Sequence, residues 1–321
     1  MPKLSVVVPL HNVGAFAENT LRSLVRNADP DYEFLLVDDC SQDSTPWVIE
    51  RWAGRLPGVK VIRHERNLGI AQARNTGIDA ADGDWLTFLD GDDWYGPGHL
   101  DELVAAVEEL GCDFARTDHV QVTGTERVVR RPPARTRNQV MDPRDGITPV
   151  HTETMVDYPF VWAGIYHRSL FRDGAQRFAT ELRTAEDRLW IWRLHLRAKS
   201  YASLGLNGVF YRRGVATSLT QIKDDRQLDF IPAYDALIKD VLRDPEADRF
   251  LPKAVRTYCA MIAFHLGKAD AYEPSAAHRL RRESRAALHR MPAEVLDETL
   301  RTIDPTRSRL LRRLRDGRKA A

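Results

Sequence analysis

Short apolar runs alternate with amphipathic segments along the first third of the chain. Residues 4–9, 33–37, 60–63 and 85–89 are compact hydrophobic stretches of strand length, and each is followed by a segment whose apolar positions recur every three to four residues. That spacing predicts helices over 15–26, 45–53, 71–80 and 98–110, the last with Pro97 ahead of it and Gly111 just past its end. A βα rhythm of this kind builds a mostly parallel, Rossmann-like sheet flanked by helices, so an α/β fold is expected. Beyond residue 113 the pattern becomes irregular. A hairpin is expected around Thr123-Gly124-Thr125, a mobile Pro/Arg-rich connection over 130–149, a helix over 185–197 and short strands up to Arg212. From about Asp225 the period is helical and the loops are short, and no internal repeat is visible.

Composition narrows the class. The 321 residues carry 47 Lys plus Arg against 46 Asp plus Glu, a net charge of +1, which gives no global signal for nucleic acid. A hydrophobic fraction of 43% is enough for a packed core and argues against wholesale disorder. No apolar run approaches the roughly 18–20 residues that a membrane-spanning helix needs. Residues 1–9 show no secretory pattern, and Cys40, Cys112 and Cys259 form no C-x-x-C pair, so a reducing, cytoplasmic setting is expected.

The candidate chemistry sits where strands end. Phe88-Leu89 runs directly into Asp90-Gly91-Asp92-Asp93-Trp94, and three carboxylates this close repel one another unless a cation lies among them. An all-oxygen set at the carboxyl end of a strand suits Mg²⁺ or Mn²⁺ carrying substrate phosphates, although Asp and Gly also build ordinary acidic turns. Asp38-Asp39 follows the second strand and Pro9-Leu10-His11-Asn12 ends the first. In an open parallel sheet these ends line one crevice, where ligands bind. Asp39 could accept from the imide N–H of a base, and Asp38 could equally cap the following turn. Asn67-Leu68-Gly69 opens a helix that bears Arg74, a residue suited to phosphate or carbonyl contacts or, on a bland reading, to a solvated helix face. Glu186-Asp187, after Thr184, opens another helix, either as catalytic carboxylates or as a capping-box-like pair of Thr184 with Asp187.

Ser5-Val6-Val7-Val8-Pro9-Leu10-His11-Asn12, Val37-Asp38-Asp39-Cys40-Ser41, Asn67-Leu68-Gly69 with Ala73-Arg74-Asn75, and Phe88-Leu89-Asp90-Gly91-Asp92-Asp93-Trp94 occur in an order and spacing that resembles the family 2 glycosyltransferases of GT-A fold. These are inverting, nucleotide-sugar-dependent enzymes. The resemblance covers residues 4 to about 118 almost continuously. It implies that Pro9 and Asn12 shape the base pocket, that Asp39 contacts the uracil of a UDP-sugar, and that Asn67, Gly69 and Arg74 border the donor. It further implies that Asp90, Gly91 and Asp92 form the family's D-x-D motif, with Asp92 and Asp90 binding Mn²⁺ or Mg²⁺ and Asp93 adjacent. Glu186-Asp187 resembles the family's E-D motif, which makes Asp187 the general base and Glu186 the runner-up. Tyr211-Arg212 through Ser218 resembles a segment that folds over the donor diphosphate, which assigns Arg212 there, while Trp94 and Asp93 are assigned to the acceptor side.

The implied organisation is a catalytic domain over 1–223, with a nucleotide-sugar half at 1–118 and an acceptor half at 119–223, followed by a helical region over 224–321. No Q-x-x-R-W follows Asp187, so a non-processive enzyme is expected, acting on a glycan, lipid-linked, teichoic-acid-like or small-molecule acceptor. Residues 305–321 carry seven basic side chains and one acid, with Leu310, Leu311 and Leu314 on an approximate stripe. That tail could lie on an anionic membrane surface at the inner face, remain solvated and frayed, or contact another copy. Two other classes stand beside the enzyme reading: a non-catalytic nucleotide-sugar or glycan-binding subunit on the same fold, and a nucleotidyltransferase. The Gly-rich phosphate loop of the latter is missing from the first βα turn.

Overall fold

The structure, a computed structural model, describes residues 1–214 and 222–317. The chain divides into two compact units, the first formed by Met1–Gly146, Thr154–Thr180 and Leu194–Val215, the second by Ile147–Glu153, Glu181–Arg193 and Ala216–Ala321.

The first unit opens with β1 (Leu4–Leu10), α1 (Gly14–Arg26), β2 (Tyr32–Asp38), α2 (Thr45–Ala53), β3 (Lys60–Arg63), α3 (Ile70–Ala80), β4 (Trp85–Phe88), β5 (Trp94–Tyr95) and α4 (His99–Leu110). Every residue of β1 and β2 is buried, which is why both read as unbroken apolar runs: a parallel strand covered on both faces has no solvent side to alternate toward. At β3 the alternation returns, with half-buried and exposed residues in turn, because it lies at the sheet edge. Then follow β6 (Phe114–Thr117), β7 (His119–Thr123), β8 (Glu126–Arg130), β9 (Val140–Met141), β10 (Gly164–His167), α5 (Glu186–Arg197), β11 (Tyr201–Leu204) and β12 (Val209–Arg212).

Eight strands form one sheet in the order β3-β2-β1-β4-β10-β6-β11-β9, with β1 to β4 parallel, and four form a smaller sheet in the order β5-β12-β7-β8. β10 runs antiparallel to both β4 and β6, so the carboxyl ends of β1, β2, β4 and β6 and the start of β10 share one edge. The expected hairpin is β7–β8. The expected mobile connection over 130–149 is instead tied down. Arg137 pairs with Asp118 at 2.5 Å and donates to the Leu204 carbonyl, Arg144 donates to the Leu196 carbonyl, and His195 donates to the Pro143 carbonyl. Its prolines and arginines signalled irregular backbone, not missing partners.

The second unit is helical: α6 (Phe230–Leu242), α7 (Ala247–Leu266), α8 (Pro274–Arg290), α9 (Ala293–Thr302) and α10 (Pro305–Arg315), together with the first two turns of α5. Tyr234 of α6 stacks on Tyr258 of α7 at 5.1 Å between ring centres. The tail is not frayed through Arg315. Asp304 caps α10 by accepting from the Thr306 and Arg307 N–H groups, Leu311 is fully buried, and Arg315 pairs with Asp297 at 2.7 Å. Arg318 and Lys319 of the basic tail, and Val215 to Ser218 of the Tyr-Arg segment, lie outside the described residues. No helix among the described residues is long and apolar enough to cross a membrane.

Candidate functional site

Three turns at the carboxyl edge of the parallel strands are locked to one another by side chains. After β1, His11 Nδ1 donates to the Asp39 carbonyl at 2.7 Å while its Nε2 accepts from the Asn67 amide at 2.8 Å. Asn12 Oδ1 accepts from the Gln42 N–H, and Gly14 N–H donates to Asp43. After β2, Asp38 accepts from the Ser41 N–H, the capping role open to it from the sequence. Asp39 is buried and binds the third turn: its Oδ1 accepts from His64 Nδ1 at 2.7 Å and from the Leu68 N–H at 2.8 Å, and its Oδ2 accepts from the Gly69 N–H at 2.8 Å. By lone-pair inventory, one acceptor position remains on Oδ2. Asn67 Oδ1 also accepts from the Gly69 N–H, and Gly69 enters α3 at φ 88°, a region that favours glycine.

The acid turn follows β4. Arg74, buried on α3, donates to Asp90 Oδ1 at 2.8 Å and places its guanidinium over the Phe178 ring at 5.3 Å. The surface-arginine reading of Arg74 therefore fails, because the helix face that carries it is covered. A Cβ on Gly91 would stand 2.7 Å from Leu10 Cδ2 and 3.1 Å from the Pro9 carbonyl, so Pro9 and Gly91 meet where only glycine fits. The Thr20 hydroxyl of α1 lies 2.9 and 2.7 Å from the Gly91 and Asp93 carbonyl oxygens. Arg212 closes the other side: its N–H donates to Asp93 Oδ1 at 2.7 Å, its Nε donates to the Asp92 carbonyl at 2.9 Å, and its guanidinium covers Trp94 at 4.6 Å. Trp94 in turn stacks on Phe210, with ring centres 5.4 Å apart.

The electrostatics of this turn are unfavourable by themselves. Burial and the charge of Asp90 push the Asp92 carboxyl up to about 6. Asp93 is raised well above the usual carboxylate range by burial and by Asp92 and Asp90, and its Oδ2 has no hydrogen-bond partner among the described residues. A divalent cation relieves this kind of repulsion. Among the described residues no three His, Cys, Asp or Glu side chains converge as a closed cage. The chemistry of Asp90 and Asp92, oxygen donors whose charges repel at a buried turn, fits Mg²⁺ or Mn²⁺.

Glu186 and Asp187 belong to the second unit. Glu186 is buried and Asp187 half-buried at the start of α5, where Asp187 Oδ1 accepts from the Arg188 N–H. Helix α5 begins at Glu186, and the Thr184 hydroxyl donates to the Arg226 carbonyl at 2.6 Å. Four non-glycine residues among those described have positive φ, and three of them, Asn12 at 52°, Cys40 at 58° and Ala185 at 60°, lie in these motifs. For alanine that conformation costs about 1 kcal/mol or more, and such strain concentrates at functional sites.

Residues 5–172 match the profile of Glycosyl transferase family 2. The chain belongs to this family. Among curated proteins it is 30% identical over 230 residues to "Uncharacterized glycosyltransferase EpsJ" of Bacillus subtilis, covering 69% of this chain and 64% of that one. It is 28% identical over 214 residues to the Staphylococcus aureus poly(ribitol-phosphate) beta-N-acetylglucosaminyltransferase TarS, covering 66% of this chain and 35% of that protein. The chain thus spans just under two thirds of EpsJ and about a third of TarS. The crystal structure of S. aureus TarS 1–349 in complex with UDP-GlcNAc superposes with a TM-score of 0.78 at 21% identity, over 99% of this chain and 93% of that one. The two share the GT-A fold.

Within this family 2 chain, the expected donor-side residues Pro9, Asn12, Asp39, Asn67, Gly69, Arg74, Asp90, Gly91, Asp92 and Arg212 all fall in the first unit, Arg212 reaching the acid turn from the end of β12 in the smaller sheet. Sequence reading passed over His64. It stands immediately after β3 and joins Asp39 to Thr76 Oγ1, at 3.0 Å from its Nε2. Its position after the third strand of the series was the available signal. Thr20, inside a helix, gave none.

Proposed function

We propose that this chain is a metal-dependent, inverting glycosyltransferase that moves one sugar from a UDP-sugar to a hydroxyl of an acceptor and releases after each transfer. The observation that carries the reading is the acid turn Asp90–Asp93, held between Arg74 and Arg212 at the same sheet edge as the Asp39 turn. Base recognition and diphosphate recognition fall to the ends of β2 and β4, on either side of β1, at the edge where an open α/β sheet binds nucleotides. The UDP-GlcNAc complex of TarS, which has the same fold, favours UDP as the nucleotide, and the poly(ribitol-phosphate) substrate in that enzyme's name favours a polymeric or lipid-linked acceptor. Catalysis at the cytoplasmic face of a membrane agrees with such an acceptor.

Asp92 and Asp90 would hold Mn²⁺ or Mg²⁺, whose chemistry here is to neutralise charge on the departing diphosphate. The chain's own residues do the rest. Asp39 and the turn it organises fix the nucleoside, while Arg74 and Arg212 fix the acid turn. Asp187, the base in the family's pattern, takes the proton of the acceptor hydroxyl as that oxygen bonds to C1 of the sugar. The bond from C1 to the diphosphate oxygen breaks in the same displacement, so UDP departs and the anomeric configuration inverts. A placed base contributes typically 10² to 10⁴-fold.

The test is thermal stability with UDP, GDP, dTDP and CMP, each with and without Mn²⁺. A ligand at 100 times its Kd adds about 2.7 kcal/mol, several degrees in Tm. A shift with UDP that requires Mn²⁺ is expected. A shift with another nucleotide replaces the donor, and no shift with any nucleotide overturns the donor site. Asp187→Asn should lose transfer and keep the UDP shift, and transfer near the wild-type rate would remove Asp187 from its role. A UDP shift without turnover on any acceptor would identify a binding subunit.

A further inference from the structure

Beside the acid turn lies an aromatic group. Phe160, Trp162 and Tyr211 sit with ring centres 4.9 to 5.9 Å apart, and His119 packs against Phe160 at 4.8 Å and against Trp162 at 4.9 Å. Trp162, His119 and Tyr158 are buried and form the backing, whereas Phe160 and Tyr211 are half-buried. The sheet places this group at the active edge. Gly164, which opens β10, is paired with Arg116 near the carboxyl end of β6, and Ile165 is paired with Thr87 of β4, one residue before Phe88 leads into Asp90. Tyr211 precedes Arg212, whose N–H donates to Asp93, and Phe210 pairs with Trp94.

The backing is built to be rigid. Arg116 is fully buried, and none of its hydrogen-bond partners among the described residues is a carboxylate. Its Nη2 donates to the Tyr158 and Phe160 carbonyls at 3.0 and 2.8 Å, and its Nη1 donates to the Tyr166 hydroxyl at 3.3 Å. A buried cation hydrogen-bonded to main-chain carbonyls fixes the loop that presents Phe160. His119 Nδ1 meets the Tyr158 hydroxyl at 2.5 Å, which closes the network from the other side. Flat, pre-positioned, partly accessible rings beside a group-transfer site match the apolar C–H face of a pyranose, and rigid aromatic contact costs little conformational entropy.

Building on the glycosyltransferase reading, we propose that Phe160 and Tyr211 form a stacking platform for a pyranose ring of the acceptor, which makes the acceptor a glycan. The full chain, with saturating UDP and Mn²⁺, is tested on an array of immobilised oligosaccharides ending in gluco-, galacto-, manno- and N-acetylated pyranoses. Wild type is retained on at least one of them. Phe160→Ala and Tyr211→Ala weaken that retention about tenfold or more, while Phe160→Trp and Tyr211→Phe stay within about threefold, and the UDP-dependent Tm shift is unchanged in both Phe160 variants. Phe160→Leu keeps apolar volume without a flat ring, so it serves if the alanine variant does not fold. Retention of no glycan by a wild type that still shows the UDP shift overturns the platform and leaves the donor reading standing, as does equal retention by the alanine and leucine variants. Ring-dependent glycan retention without any nucleotide shift supports the platform and removes the donor reading instead.

Discussion

Replacing Asp92 by Asn should make the protein more stable. The Asp92 carboxyl is raised from 3.8 to about 6 by burial and by Asp90, so at neutral pH its ionised form weakens the fold. That rise corresponds to an upper bound of about 3 kcal/mol. The sign follows from the raised value. Folding favours the protonated carboxyl, so stability is fully present below about 3.8 and is lost as pH rises through about 6. Asparagine has nearly the same shape and no charge, and so recovers the loss. Against a unit of about 200 residues, 3 kcal/mol corresponds to roughly 6–12 °C in Tm. Thermal unfolding followed by circular dichroism at pH 7.5 and pH 5 checks both size and sign: the variant leads at pH 7.5, and its lead falls to about half at pH 5, where wild-type Asp92 is mostly protonated in the fold. Mn²⁺ with UDP should raise the wild type and leave the variant nearly unmoved, since the same carboxylate is the proposed ligand. An Asp92→Asn protein that melts at or below the wild-type temperature at pH 7.5 without ligand would refute the claim that this turn stores electrostatic strain.

Three further outcomes are expected. Gly91→Ala pushes a methyl into Leu10 and the Pro9 carbonyl and should cost about 1–3 kcal/mol while abolishing the UDP shift, measured by chemical denaturation and thermal shift together. Arg74→Met leaves the Asp90 charge unpaired beside a buried surface and should destabilise by about 3–5 kcal/mol; a change under 1 kcal/mol would show that the pair is decorative. Burial lowers His99, His119 and His195 to about 4, so each is neutral in the fold and takes up a proton on unfolding below about 6.5. Stability is full above 6.5 and falls toward pH 4 with a slope of up to about 4 kcal/mol per pH unit for the three together, which urea titration at half-unit steps reads directly.

The arginine and the carboxylates show how far a linear reading reaches. Strand ends with Asp38-Asp39 and Asp90–Asp93 announced a crevice, because burial on both faces leaves an apolar run no polar position until it emerges from the sheet. The edge at which it emerges is then the ligand edge. Whether Arg74 faces solvent or Asp90 could not be read from α3, whose own pattern permits either; the answer depends on Phe178, a hundred residues away. The helix of the basic tail was likewise legible through Leu311, but its docking depends on Asp297 and on the Arg315 carbonyl at its end, which Arg285 and His289 both reach.

The sequence by itself determined the βα order, the strand ends that carry chemistry and the family to which they belong, since each depends on local period and on residues fixed within a few positions. Tertiary structure alone decided that His64 supports Asp39, that Thr20 holds the acid turn, that Arg116 is spent on a loop, and that Phe160 and Tyr211 share an edge with Asp93. These pairings join residues 25 to 120 positions apart, and at such separations it is the register of the sheet, not the pattern along the chain, that brings side chains within bonding distance.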